Sequence, residues 1–148
     1  MMTSIRLLLI TIVAYIGQAA AWSNATMQAA FMRRAIVLAK EAAKEQGGSP
    51  FGCVIVQPAT ATILAEGKNH DQRNPIWHGE MAAITNLSSK VPDIRSIAPS
   101  LELYSTAEPC SMCASAIAWA GFGRILYGTS IPFMENLGVP QTTSGPPR

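Results

Sequence analysis

LELYSTAEPCSMCASAIAWAGFGRILYGT, residues 101 to 129, decides the fold. Leu101 to Thr106 reads as a strand, Pro109 to Ala120 as a helix, and Arg124 to Thr129 as a second strand. Strand, helix and strand in succession point to a sheet with helices packed on it. A strand reached through a helix is expected to run parallel to its neighbour. Pro109 is expected as the first residue of the helix, where its missing N–H costs nothing. Cys110 and Cys113 then fall in the first turn, three apart on one face.

Upstream, Thr26 to about Gln46 carries an apolar stripe that includes Met27, Phe31, Leu38 and Ala42, with Arg33, Lys40 and Glu41 off it, so a helix is expected. Gly47-Gly48-Ser49-Pro50 ends it. Phe51 to Gln57 is short, rich in Val and Ile, and reads as a strand buried on both faces. Thr62 to Lys68 reads as the returning strand of a hairpin. A polar loop from Asn69 to Ile76 leads to a helix over His78 to Ser88. Beyond Gly128 a turn or short helix is expected around Pro132 to Leu137. The order α-β-β-α-β-α-β predicts an α/β fold of three layers: a mixed sheet of about four strands with helices on both faces. The domain is expected over 22–138, with a disordered tail over 139–148, whose prolines exclude a central strand.

The 148 residues suffice for one core. Only 14% are charged, against about 25% in ordinary soluble domains. The amino end explains part of this: one positive charge (Arg6), an apolar run from Leu7 to Ile16, then Ala19-Ala20-Ala21. That order reads as a secretory signal peptide over 1–21, so the product is expected to be secreted or exported. The run is short of the roughly 20 apolar residues that span a bilayer, and an uncleaved signal anchor is the alternative. Removing 1–21 takes away Arg6 and lowers the formal charge of +2 by one. A near-neutral domain has no electrostatic footprint for a nucleic-acid polymer, and Arg33-Arg34 read as a solvated helix face. Three cysteines exclude a disulfide scaffold. Asn24-Ala-Thr26 and Asn86-Leu-Ser88 match the glycosylation tripeptide.

Two motifs carry chemistry: His78-Gly79-Glu80 and Pro109-Cys110-Ser111-Met112-Cys113. A helix amino terminus favours thiolate, the metal-binding form. Two thiolates and one imidazole make a zinc site with an open fourth position, the catalytic arrangement. Glu80, two residues from His78, leaves the helix in another direction. It is free to take a proton from zinc-bound water, whose pKa falls to about 7. A redox Cys-x-x-Cys pair is the competing reading of the cysteines, and surface decoration that of the His-x-Glu. Cys53, within a buried strand, reads as a small core residue.

The pairing of His-x-Glu with Pro-Cys-x-x-Cys resembles the zinc deaminases of the cytidine deaminase superfamily. Gly48-Ser-Pro-Phe-Gly-Cys-Val-Ile-Val56, Ala65-Glu-Gly-Lys-Asn69, Thr106-Ala-Glu-Pro-Cys-Ser-Met-Cys113 and Gly123-Arg-Ile-Leu-Tyr-Gly128 extend the likeness over roughly residues 27–138. They are closest to the guanine deaminase, yeast-type cytosine deaminase and tRNA adenosine deaminase branch. The resemblance implies that His78, Cys110 and Cys113 hold Zn2+ and that Glu80 is the catalytic proton shuttle. It implies that Asn69 reads the base, that the Gly79 N–H bonds a base carbonyl or ring nitrogen, and that Phe51 lines the pocket. Trp77 is a candidate for stacking, and the Glu108 backbone would accept a bond from the leaving amine. Gly79 stands where alanine is commoner. The superfamily's following strand is not found in the carboxyl end.

The function so implied is hydrolytic deamination of a free nucleobase or nucleoside, guanine before cytosine or adenosine. Zinc-bound water attacks the amino-bearing ring carbon and ammonia leaves. The partner would be that small molecule and not a polymeric nucleic acid, with a homodimer expected from the superfamily. The alternatives are a truncated, catalytically silent zinc-binding module and a secreted thiol protein.

Overall fold

The computed structural model describes residues 22–45, 48–71, 74–139 and 141. The expected signal peptide lies outside the described residues. Four strands form one sheet: β1 (Gly52–Gln57), β2 (Thr62–Lys68), β3 (Glu102–Ala107) and β4 (Arg124–Thr129). Three longer helices pack on it: α1 (Ala25–Lys44), α2 (Gly79–Lys90) and α3 (Ser111–Ala120). A single short turn of helix, α4 (Ile131–Asn136), follows β4.

The strand order is β2-β1-β3-β4. β1 is antiparallel to both β2 and β3, while β3 and β4 are parallel. The expectation that both later strands run parallel to their neighbours is therefore half corrected. The crossover through α2 does set β3 in the same direction as β2, but β1 lies between them. A crossover helix fixes strand direction and leaves adjacency open.

Alternation along the strands divides the core into two layers. Cys53, Ile55, Leu101 and Leu103 face one side with Ala83 and Leu87 of α2 and Ile117 of α3. Val54, Val56 and Tyr104 face the other, against Phe31, Ala35 and Leu38 of α1. This is the three-layer architecture expected, and Cys53 is the core residue expected, fully buried with its thiol pushed up by that burial and by the nearby Glu80 charge. α1 starts on Asn24, whose Oδ1 accepts the Met27 N–H at 3.0 Å, a cap worth about 1 kcal/mol. Arg33 is exposed as expected, but Arg34 reaches across to Glu66, with both guanidinium–carboxylate bonds 2.6 Å long.

Two glycines let the helices come close. A methyl group at Gly52 would lie 2.4 Å from the Ala35 carbonyl oxygen of α1. One at Gly67 would lie 2.2 Å from the Gly79 carbonyl oxygen of α2. No helix among the described residues is long and apolar enough to cross a membrane.

Candidate active site

Because β2 and β3 point the same way, the helix that follows each begins at the same end of the sheet. The amino ends of α2 and α3 therefore meet. His78 is the N-cap of α2, with Glu80 its second residue. Cys110 is the N-cap of α3 and Cys113 its third residue. This corrects the expected helix start: Pro109 lies one residue before the N-cap and two before the first helical residue, Ser111. Cys110 keeps an extended backbone (φ −62°, ψ 169°), and its carbonyl accepts the first helical bond, from the Ala114 N–H at 2.8 Å.

His78 Nδ1 is 3.6 Å from Cys110 Sγ and 3.7 Å from Cys113 Sγ, and all three donor atoms lie within 4.8 Å of one another. Zinc–sulfur bonds of about 2.3 Å and zinc–nitrogen bonds of about 2.0–2.1 Å, at a tetrahedral angle, separate nitrogen from sulfur by about 3.6 Å. The donor set thus fits zinc in chemistry and in spacing. Hydrogen bonds with Cys113 and His78 pull the Cys110 thiol down to about 4. Cys113 moves up through its bond with Cys110 and its burial. The bond with Cys110 also raises the His78 imidazole against the effect of burial. One thiolate, the ligand form, is favoured before any cation arrives.

Glu80 is 6% exposed and accepts the Ser105 hydroxyl at Oε1, 2.9 Å away. It lines a cavity of about 300 Å3 with Phe51, Asn69, Asp71, His78 and Cys110. That is at the lower end of small-molecule sites. A larger apolar groove of about 640 Å3 shares Ser49, Phe51 and Val139 with it but is lined by none of the metal ligands, so the chemistry belongs to the smaller space. Val139 and Gln141, expected in a disordered tail, line the smaller cavity as well.

Asn69 is buried at the end of β2. Its Oδ1 accepts the Gly79 N–H at 2.6 Å. The Gly79 N–H, expected to bond the base, is thus bonded to Asn69, and the Asn69 amide nitrogen remains to donate. Trp77, the candidate for stacking, lines the groove between α1, β2 and α2 with Arg34 and Glu66. Glu108 does border the cavity, with its side chain turned to accept the Ile131 N–H at 2.7 Å. Asn86 uses its amide to bond the Glu66 carbonyl at 3.1 Å. Ser105 and Asp71 were not foreseen. Ser105 carries no motif, only a place in the alternation of β3. Asp71 is held by the Ser49 backbone N–H and hydroxyl, and its neighbours in sequence give no signal of this.

Two converging helix starts of this α/β fold thus present one imidazole and two thiols, the donor set of a zinc site, beside a buried carboxylate. The chain belongs to the deaminase family: residues 25–129 match the cytidine and deoxycytidylate deaminase zinc-binding region. It is 32% identical over 101 residues to a probable cytosine deaminase of Schizosaccharomyces pombe, covering 68% of this chain and 59% of that protein. To a guanine deaminase of Bacillus subtilis it is 37% identical over 99 residues, covering 66% and 61%. tRNA-specific adenosine deaminases are also among its relatives. The solved structure of guanine deaminase from Bacillus subtilis superposes with a TM-score of 0.66 at 32% identity, covering 74% of this chain and 69% of that one. The expected branch is the one found. The chain spans about three-fifths of the length of the first two relatives (59% and 61%). Membership carries Zn2+ as the family's metal, and His78, Cys110 and Cys113 are the residues here that fit it.

Proposed function

We propose that the chain is a hydrolytic deaminase of a free nucleobase or nucleoside, with guanine the first substrate to test and cytosine and adenosine next. The observation that carries this reading is Glu80: a buried carboxylate sharing one small cavity with His78 and Cys110. A metal site with only a structural role has no use for it. When bound, zinc supplies an acidified water. Glu80 would take one proton from the attacking water and deliver it to a ring nitrogen, then take the proton of the hydroxyl so formed and pass it to the amine, which leaves as ammonia as the carbonyl forms. Asn69 holds the base by its amide nitrogen, and Phe51 forms a wall of the pocket. Asp71, Glu80 and Glu108 line the cavity, and none of its described lining residues is a lysine or an arginine. That charge opposes phosphate and favours a neutral base or nucleoside over tRNA. The likeness to guanine deaminase supports guanine.

The test is ammonia release by zinc-loaded protein from guanine, cytosine, adenine and their nucleosides. Turnover of one of them, abolished in Glu80→Gln with one zinc per chain retained, is the expected result. Silence across the panel at full zinc occupancy overturns the proposal and leaves a catalytically silent zinc-binding module. We also infer export of the chain from the order of regions in residues 1–21. Amino-terminal sequencing of the product from a host that exports it is expected to begin at Trp22. A homodimer is part of the same proposal, read from a concentration-dependent mass in solution.

A further inference from the structure

We propose that Ser105 is the positioning residue for Glu80. This rests on the deaminase reading for its catalytic consequence, but not for its geometry. Ser105 and Cys53 are cross-strand partners on β3 and β1. Ser105 shares its face of the sheet with Leu101 and Leu103, the face covered by α2. The Glu80 carboxylate lies over these two positions. Only one of them offers a strong donor: Ser105 bonds Glu80 Oε1 at 2.9 Å, whereas the Cys53 thiol is directed to the Val54 carbonyl, 4.0 Å away. Both ends of the Ser105–Glu80 bond are buried, at 2% and 6% exposure, so water does not compete for it.

A glutamate has three rotatable side-chain bonds, and Glu80, in the first turn of its helix, bonds Ser105 at 2.9 Å and also meets the Cys113 thiol. Fixing Oε1 on a rigid central strand selects one orientation and presents Oε2 to the cavity. A proton carrier must serve two positions in one turnover, first at the water and then at the ring nitrogen and amine. A carboxylate anchored through one oxygen can do this by small rotations without leaving the site. The bond orients the proton carrier and does not touch substrate, so its loss is read in the chemical step more than in substrate binding.

The experiment compares wild type, Ser105→Ala and Ser105→Thr, all loaded with zinc, with guanine and cytosine as substrates. Ser105→Ala is expected to lower kcat about 10- to 100-fold, the scale of one hydrogen bond to a charged group, with KM changed less than threefold and one zinc per chain retained. Ser105→Thr, which keeps the hydroxyl, is expected to recover most of kcat. A second readout needs no turnover. In protein carrying 13C-carboxyl glutamate, the Glu80 resonance, assigned by its loss in Glu80→Gln, is expected to shift in Ser105→Ala while the other glutamate resonances stay in place. An unchanged Glu80 resonance overturns the proposal, and so does unchanged kcat in Ser105→Ala when Glu80→Gln is inactive. If wild type turns over neither these bases nor any other member of the panel, the deaminase reading is what fails, and the resonance alone decides the positioning role.

Discussion

Replacing Gly67 with alanine should separate α2 from the sheet and disable the metal site without touching a ligand. The added methyl would lie 2.2 Å from the Gly79 carbonyl oxygen and 2.3 Å from the Ala83 nitrogen. Ordinary contact begins near 3.4 Å, so the first turns of α2 must retreat by about 1 Å. Both clashing atoms are backbone, and no rotamer change relieves them. Overpacking of this kind costs about 1–3 kcal/mol. For a domain of this size that is a fall in Tm of about 4–12 °C. The displaced turn carries His78 and Glu80, and a misplacement of about 1 Å can cost about 100-fold in rate. Gly79→Ala is the matched control. Its methyl would meet Gly52 Cα at 3.3 Å, which asks for only a few tenths of an ångström. Differential scanning fluorimetry and zinc content, measured on both variants, decide the matter. Gly67→Ala melting within 1 °C of wild type with zinc fully bound would refute the reasoning, since the helix would then not rest where the packing places it.

Cys113→Ser should lower bound zinc from one per chain to a small fraction, because a buried hydroxyl is a poor replacement for a thiolate. Elemental analysis after dialysis reads this. Chelation of wild type should lower Tm for the same reason, since metal bound only by the folded state stabilises it. Glu102 is fully buried among Tyr104, Ser23 and Arg124. Burial pushes its carboxyl up, but hydrogen bonds from Tyr104 and Ser23 and the Arg124 charge outweigh burial and hold it below the usual value. Its contribution to stability is therefore present above the unfolded carboxyl value of about 4.3 and is lost as pH falls through the lower native one. Tm measured from pH 6 to pH 3 should fall less steeply in Glu102→Gln than in wild type. Asn69→Ala should raise KM more than it lowers kcat in steady-state assays, and should cost stability because the Gly79 N–H loses its acceptor.

The zinc ligands and Glu80 were legible in the chain because metal chemistry demands particular atoms, and few residue types supply them. Helices and strands were legible for a related reason: apolar periodicity reports which side of an element faces the core. The ending of α1 at Lys44, the hairpin of β1 and β2, and the limits of β4 follow from such local signals. What the sequence could not determine was how separate elements meet. Strand β1 lies between β2 and β3 because of how the hairpin docks, and a crossover helix carries no information about that. The sharing of donors was equally hidden. The Gly79 N–H goes to Asn69 and the Ser105 hydroxyl to Glu80, and these partners lie ten and twenty-five residues apart. Residue type says only that a donor or an acceptor exists. Which of them pair depends on distances of about 3 Å, and those are set by the packing of α2 over Gly67 and Gly52. The sequence by itself thus determined the metal, the carboxylate and the layers, since these depend on composition and period. Only the tertiary structure decided the strand order and the hydrogen bonds of Gly79 and Glu80, because both arise from contacts between segments distant in the chain.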